Sequence, residues 1–235
     1  MDGRNTELTY HIRKRKMTGL IIAMDKELAP LVQNEEVERE TRKNLTFYKF
    51  VIGDENCVAI RSGIGKVNAA YAATVLINEF NPDVIVSTGI SGGLGRNNLL
   101  DLVVSEKCVQ YDVDTSALGD PVGLVSTINK IYFDADETLV KKFVEKCGAK
   151  KAVLACGDRF VADEKTKKTI VDLFDAGACD MESGAIAQVA YLENKPYVAL
   201  RCISDGAGDG AELDYEKMTN KAAEILAKAI RTAIS

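Results

Sequence analysis

The alternation of short apolar runs with helical segments is the feature that most restricts how this chain can fold. Runs rich in β-branched residues, such as 83–88 and 197–203, are typical of strands that are covered on both faces of a sheet. Segments with one apolar face, such as 65–80 and 136–147, alternate with them. This order predicts a single α/β domain of three layers, in which helices cover both faces of a mostly parallel central sheet.

The individual elements can be placed from residue 17 to the end of the chain. Strands are predicted at 17–24, 47–52, 57–61, 83–88, 102–109, 152–156 and 197–203, with a short strand that ends at Asp180. Helices are predicted at 65–80, 136–147, 163–174, 182–193 and 214–234. The run Gly89–Gly93 is predicted to be a glycine-rich turn after its strand.

Residues 1–16 differ from the rest of the chain. They carry five Lys or Arg residues without a periodic apolar pattern, which predicts a disordered polar tail ahead of one domain over 17–235. No apolar run approaches the roughly 20 residues of a membrane-spanning helix, and no signal-peptide segment follows the basic residues. The net charge of −5 supplies no excess of positive charge for nucleic acid or a membrane surface. We therefore expect a cytoplasmic protein without nucleic-acid or membrane partners.

The histidine and cysteine content excludes several kinds of chemistry. The only histidine, His11, lies in the polar tail, which argues against a Ser-His-Asp triad, a Cys-His pair or a multi-histidine metal site. The six cysteines are at least nine residues apart, so the chain has no CxxC pair, and we expect reduced, mostly buried thiols. No metal or redox cofactor is implied, and acid and base catalysis is left to carboxylates, lysines or tyrosines.

Four strand ends carry the candidate functional residues, because ligands of such sheets bind at the carboxyl ends of the strands. They are the segments 23–27, 62–66 and 88–93, and the pair 180–183 and 201–205. The acids after the first strand equally suit the first turn of a helix, and the glycine-rich segment equally suits a tight packing turn. Residues 62–66 do not form a Walker loop, since the spacing of GxxxxGK[ST] is not met.

Three carboxylates at these strand ends are predicted to converge in one cleft. They are Glu27, Glu182 and Asp205. A solvated helix cap would explain each acid singly, but the apolar run before Asp205 is unsuited to a wet edge of the sheet. Three carboxylates without histidine or metal-ligand spacing indicate acid/base hydrolysis or recognition of a polyol.

Six motifs, in order and at compatible spacing, resemble one family. The chain is similar to the nucleoside phosphorylase superfamily and, within it, to the methylthioadenosine/S-adenosylhomocysteine nucleosidases. The resemblance implies a single α/β domain around a central mixed sheet, in a homodimer whose subunits lend residues to each other's pockets. The motifs are AMxxE (23–27), SGIGKVNAA (62–70), TGxxGGL (88–94), GDxF (157–160), DMES (180–183) and RxISD (201–205).

The resemblance implies a role for each acid. Glu27 resembles the general base that activates water, and Asp205 resembles the general acid that protonates N7 of the purine. Asp205 must then be protonated when it acts, which requires a raised pKa, whereas Glu27 must stay ionised. Glu182 resembles the ligand of the ribose 2′ and 3′ hydroxyls, and Met181 the residue against the sugar face.

Further pocket residues follow from the same resemblance. Phe160 resembles the residue that stacks on adenine, and the backbone of Val161 the group that binds its N1 and N6 edge. Apolar contacts with the ribose and the 5′-thio group are implied for Met24, Ile64 and Tyr215. An apolar 5′ pocket favours a thioether over a 5′ hydroxyl, which would be left unpaired.

The resemblance also implies that two residues position Asp205 and Glu27, and that one residue acts in the pocket of the partner subunit. Arg201 and Ser204 resemble residues that position Asp205 and Glu27. Leu118 resembles a residue that reaches the partner's pocket, in place of the aromatic often found there.

The chain departs from the family pattern in the glycine-rich segment. Ile90 stands where these nucleosidases often carry serine, and the hydroxyl falls one residue later, at Ser91. Gly92 matches a position that contacts substrate. The role of Ser91, turned toward the substrate or not, stays open, as does a preference for another purine-type nucleoside.

The chain lacks the arginines that a phosphorylase uses for its phosphate. Glu27 follows the first strand, and Val86 and Ser87 precede Thr88, where the phosphorylase branch places cations. A carboxylate repels phosphate but can deprotonate water, so hydrolysis is favoured, with a purine nucleoside and water as reactants. The alternatives are a phosphorylase, a hydrolase of a related nucleoside such as aminodeoxyfutalosine, and a non-catalytic protein that binds or stores nucleosides.

Overall fold

The computed structural model describes residues 16–33 and 35–235. Its helices are α1 (Asp25–Val32), α2 (Lys66–Phe80), α3 (Glu137–Cys147), α4 (Glu164–Phe174), α5 (Ser183–Leu192) and α6 (Ala211–Ile234). Its strands are β1 (Met17–Ile22), β2 (Glu38–Arg42), β3 (Leu45–Ile52), β4 (Glu55–Arg61), β5 (Val84–Gly93), β6 (Leu102–Gln110), β7 (Tyr132–Asp134), β8 (Lys150–Cys156), β9 (Ala178–Asp180) and β10 (Tyr197–Asp205).

The ten strands of the described residues belong to one mixed sheet. Its order is β10-β6-β8-β9-β5-β1-β4-β3-β2, with β7 paired to β6 and a further pairing of β10 with β5 that closes part of the sheet on itself. Five of these ten pairings are parallel, including those of β1 and β10 with β5. The single α/β domain and its mixed sheet are therefore confirmed, with more antiparallel pairing than the mostly parallel sheet that the pattern predicted.

Different helices cover the two faces of the sheet. Successive side chains of a strand point to opposite faces, so neighbouring residues of β1 pack against different helices. Leu20 and Ile22 of β1 pack on the side of α1 and α6, together with Leu226 and Ile230. Ile21 packs on the other side with residues of α2 and α5. Each fully buried Leu or Ile side chain contributes about 1.5–3 kcal/mol of hydrophobic stabilisation, so both layers stabilise the central strands.

The glycine-rich segment was wrongly predicted to be a turn. Residues 89–93 continue β5, because Gly89–Gly92 pair with β10 and Gly92–Gly93 pair with β9. Strand β2, which is polar, and strand β7, which is three residues long, were not predicted. Helix α6 begins at Ala211, three residues before the predicted start, after Gly210 in a left-handed conformation (φ 84°).

The thiols agree with the expectation from the sequence. All six cysteines are free, and each is buried except Cys147, which is half-buried. Residues 1–15 of the predicted tail, His11 among them, lie outside the described residues. Within the described ranges, no helix combines the length and apolar character needed to cross a membrane.

Candidate active site

The three predicted acids line one cavity at the carboxyl ends of the central strands. Its volume is about 420 Å³, within the range of small-molecule sites. Glu27, Glu182 and Asp205 reach it from α1, from the residue before α5 and from the end of β10. The other lining residues are Ala23, Met24, Ile64, Ile90, Ser91, Gly92, Arg159, Phe160, Val161, Cys179, Asp180, Met181, Ser204, Glu212, Tyr215 and Glu216.

Backbone amides hold both oxygens of the Glu27 carboxylate. The N–H of Met24 donates to Oε2 at 3.0 Å, and the N–H of Ile90 donates to Oε1 at 2.8 Å. Glu27 is the third residue of α1, so its bond with the N–H of Met24 also caps this helix. This agrees with the alternative interpretation that the acids after the first strand belong to the first turn of a helix. A Cβ added to Gly89 would lie 2.8 Å from Oε1, and strand β5 can approach the carboxylate this closely only with glycine there.

The pKa of Glu27 is shifted in the direction that suits a base. Burial raises this pKa above its ordinary value, while the N–H groups of Ile90 and Met24 and the charge of Arg201 oppose the shift. Glu27 was predicted to stay ionised, and a raised pKa works against that state at a given pH. A raised pKa makes its carboxylate a stronger proton acceptor once it is ionised.

Asp205 lies at the end of β10 and is 2% exposed. Ser204 Oγ donates to Oδ2 at 2.8 Å, and the N–H of Ala207 donates to Oδ1 at 2.9 Å. Burial raises the pKa of Asp205, with a further contribution from Asp214, and these two hydrogen bonds oppose the shift. The direction is the one that a carboxylic acid needs to be protonated when it acts.

Gly92 leaves room for the Asp205 carboxylate beside strand β5. A Cβ at Gly92 would lie 3.0 Å from Asp205 Oδ1 and 2.8 Å from the Cβ of Ala207. The two catalytic candidates, Glu27 and Asp205, thus lie against two glycines of the same strand, β5.

Glu182 connects two loops of the site. Its Oε1 accepts a hydrogen bond from the N–H of Gly65 at 2.8 Å, which joins the segment before α2 to the start of α5. Burial and, after it, the neighbouring Asp180 carboxylate together raise the pKa of Glu182 to about 7, against the opposing effects of the Gly65 N–H and the charge of Arg201.

Arg201 makes different contacts from those the resemblance implied. Its guanidinium is buried, and its Nε donates to Asp180 Oδ2 at 2.7 Å. Nη2 donates to Ser87 Oγ at 2.9 Å and Nη1 to the carbonyl of Leu200 at 3.1 Å. Arg201 therefore acts on Glu27 through its charge, whereas Ser204 is bonded directly to Asp205.

Aromatic and apolar side chains form the outer part of the cavity. The rings of Phe160 and Tyr215 meet edge to face, with centroids 5.6 Å apart, and Phe160 is 43% exposed. Tyr215 OH donates to Met24 Sδ at 3.4 Å. Val161, Met181 and Ile64 also line the cavity.

Ile90, which departs from the family pattern, contributes to the site through its backbone N–H. The N–H of Ile90 binds Glu27, while its side chain packs partly against the core next to α6. Ser91 lies on the lining, but its Oγ is buried and has no hydrogen-bond partner among the described residues.

Leu118 does not lie in the cavity of its own chain. It ends a short 3₁₀ helix, Ser116–Leu118, and is 85% exposed. The role implied for it concerns a second copy of the chain and stays a prediction.

Several lining residues were not singled out from the sequence. Glu212 and Glu216 flank Tyr215 on the first turns of α6, and Glu212 lies ahead of the predicted helix start. Arg159 precedes Phe160 and pairs with Asp163 at 2.8 Å. Asp180 was quoted as part of a motif, but its ion pair with Arg201 has no signal in the sequence.

The fold agrees with comparison to protein families. A family model described as the Phosphorylase superfamily matches residues 18–235, so the chain belongs to that superfamily. It is 32% identical over 228 residues to the 5′-methylthioadenosine/S-adenosylhomocysteine nucleosidase of Staphylococcus aureus (strain JH9), with 93% of this chain and 99% of that protein covered. Within the superfamily it belongs to this nucleosidase family and is a nucleoside hydrolase.

Two solved structures illustrate the similarity of fold. The nucleosidase of the same name from Helicobacter pylori, solved with butyl-thio-DADMe-Immucillin-A, has a TM-score of 0.91 and 27% identity, covering 94% of this chain and 98% of that one. Futalosine hydrolase of Helicobacter pylori strain 26695 has a TM-score of 0.89 and 28% identity, covering 93% of this chain and 97% of that one.

Proposed function

We propose that this chain hydrolyses the N-ribosidic bond of 5′-methylthioadenosine, of S-adenosylhomocysteine or of both, and releases adenine. The observation that carries the proposal is the shared cavity of Glu27, Glu182 and Asp205, in which an acid with a raised pKa and a carboxylate held by backbone amides line the same space. The name of the Staphylococcus aureus relative supports this choice of substrates.

The chemistry of the N-ribosidic bond supports the roles proposed for Asp205 as the acid and Glu27 as the base. Cleavage leaves positive character on the sugar and negative charge on adenine, so a proton from Asp205 to N7 makes the leaving group neutral. The carboxylate of Glu27 accepts a proton from water, whose oxygen then bonds to C1′. The protons balance when bulk water reprotonates Asp205 and accepts the proton from Glu27.

The remaining residues bind the substrate. Glu182 accepts hydrogen bonds from the ribose hydroxyls, which lowers the barrier only if these bonds tighten in the transition state. Phe160 stacks on adenine, and the backbone of Val161 binds its N1 and N6 edge. The residues in contact with the ribose, the 5′-thio group and the base are Met24, Ile64, Ile90, Ser91, Gly92, Met181 and Tyr215.

Phosphate is expected to have no effect on the reaction. Within the described part of the cavity wall the one cationic side chain is Arg159, which already pairs with Asp163, and the buried Arg201 behind the wall is bonded to Asp180. Adenine release from methylthioadenosine should therefore proceed at the same rate with and without added phosphate, and the sugar product should be free methylthioribose. Formation of a ribose-1-phosphate would instead assign a phosphorylase.

A second substrate class is supported by the futalosine hydrolase neighbour. Such a substrate shares the ribosyl C–N bond and would use the same carboxylates. A panel of methylthioadenosine, S-adenosylhomocysteine, futalosine and aminodeoxyfutalosine, compared by kcat/KM, ranks these substrates directly.

We further propose a homodimer in the cytoplasm. The exposed apolar side chains of Leu118 and Val67 support contact with a second copy, and in this proposal Leu118 reaches the partner's pocket. Free thiols suit a reducing compartment.

A substitution in strand β5 tests the position of the Glu27 carboxylate. In Gly89→Ala the new Cβ must displace the Glu27 carboxylate, because it would lie 2.8 Å from Oε1. We expect kcat to fall by about 10²-fold, the effect of a misplacement of about 1 Å. Gly206→Ala is the control, since its Cβ meets nothing within 4 Å. Equal rates for both variants would contradict the tight contact between β5 and Glu27.

A further inference from the structure

A buried ion pair lies behind the wall of the cavity. Arg201 Nε donates to Asp180 Oδ2 at 2.7 Å, and both side chains are 2% exposed. Buried ion pairs often stabilise a fold no more than apolar residues of the same volume, so stability alone does not account for this one. The mechanism proposed above gives Asp180 no role.

The arginine faces two of the three acids without a hydrogen bond to either. Arg201, Glu27 and Glu182 line a second, very small cavity of about 10 Å³ behind the main one. The charge of Arg201 lowers the pKa of both acids against the larger effect of burial. The position of Arg201 therefore affects the pKa values of Glu27 and Glu182 together.

The second oxygen of Asp180 fixes the start of α5. Oδ1 accepts hydrogen bonds from the N–H of Glu182 at 3.2 Å, the N–H of Ser183 at 3.0 Å and Ser183 Oγ at 2.8 Å. One carboxylate thus holds the guanidinium with one oxygen and the backbone of Glu182 with the other.

We infer that Asp180 is a positioning residue for the reaction, and that it fixes Arg201 beside Glu27 and Glu182 and thereby sets the protonation of these two acids. The inference rests on the function proposed above, in which Glu27 acts as a carboxylate and Glu182 binds the ribose.

Neighbouring ionisable groups do not supply a competing charge. The thiols of Cys108 in β6, Cys156 in β8 and Cys179 in β9, and the phenol of Tyr197 in β10, face this cluster, and burial raises the pKa of each, which keeps them neutral.

Charged groups approach Glu27 and Glu182 from several elements. They are Asp180 and Arg201 from the ion pair, Asp205 from β10, and Arg159, Glu212 and Glu216, which line the same cavity, together with the phenol of Tyr215 from α6, whose pKa burial raises.

The variant Asp180→Asn tests the inference, because it keeps the shape and removes the charge. Without the anion, Arg201 is uncompensated and the repulsion on Glu182 is lost, so both acids ionise at lower pH. We expect the acidic limb of the pH profile of kcat/KM to move down by about one pH unit, within the usual effect of a nearby charge. The same shift should appear in the ¹³C NMR titration of the glutamate carboxyls, with signals assigned from Glu27→Gln and Glu182→Gln.

Ser183→Ala is the matched control. It removes one hydrogen bond to the same carboxylate but leaves the charge and the bond with Arg201 in place. We expect its acidic limb to stay where it is in the wild type. An unshifted limb in Asp180→Asn, or an equal shift in Ser183→Ala, overturns the inference.

If Asp180→Asn does not fold, Asp180→Glu tests the inference instead. It keeps the charge but displaces Arg201 by one methylene from its place beside Glu27 and Glu182, so the acidic limb should move. We also expect kcat to fall at least about tenfold, because a misplacement of about 1 Å costs about 10²-fold. An unchanged kcat overturns the inference.

The NMR titration also separates this inference from the proposed function. It needs no substrate, so a wild-type protein that releases no adenine would refute the function while the shift of the glutamate carboxyls still decides the role of Asp180.

Discussion

Asp205→Asn should lower kcat for adenine release by about 10²–10⁴-fold, the usual contribution of a general acid. The asparagine oxygen can still accept from the N–H of Ala207, and its amide can donate to Ser204 Oγ, whose hydroxyl turns to accept. The side chain therefore keeps its place but has no proton to give to N7. We expect tight inhibitors to remain bound, which isothermal titration calorimetry measures beside the rate.

Two controls make the Asp205 result specific. Asp209→Asn makes the same change four residues later at an exposed position and should leave the rate unchanged. A 4-nitrophenyl 5-methylthioriboside, whose leaving group needs no proton, should be cleaved by Asp205→Asn nearly as well as by the wild type. Near-normal release of adenine by Asp205→Asn would refute its role as the acid.

Glu27→Gln should lower kcat by a similar factor, about 10²–10⁴-fold. The amide is the same size as the carboxylate, but it cannot accept a proton from water, and its NH₂ group meets one of the two backbone N–H donors. Asp25→Asn, on an exposed position of the same helix, is the matched control. Steady-state rates of adenine release measure both variants.

Rescue experiments separate the base from the acid. Azide is a nucleophile that needs no deprotonation, so it should partly restore adenine release in Glu27→Gln, with a ribosyl azide as product, and should not restore Asp205→Asn. The nitrophenyl substrate should give the opposite pattern. If azide rescues both variants equally, the division of roles between the two acids is wrong.

The arrangement of elements could be predicted because it follows from local patterns. Apolar runs and amphipathic segments located the central strands and helices, and the ends of β1, β9 and β10 put three acids at one edge of the sheet. Strand β2 was missed because its sequence, ERETR, is polar and its place at the sheet edge is set by pairing with β3.

Features that depend on contacts between distant segments could not be predicted. The glycines of 89–93 suggested a turn, but pairing with β10 and β9 keeps them in a strand, and the missing side chains leave room for Glu27 and Asp205. The ion pair of Asp180 with Arg201 likewise joins residues 21 positions apart that no local pattern connects.

The most direct test of the account is the turnover of the 7-deaza analogue of 5′-methylthioadenosine, in which carbon replaces N7. We expect the wild-type protein to bind this analogue about as tightly as the natural nucleoside but not to cleave it, because Asp205 has no atom to protonate. Cleavage of the analogue at a rate near that of methylthioadenosine would contradict N7 protonation by Asp205.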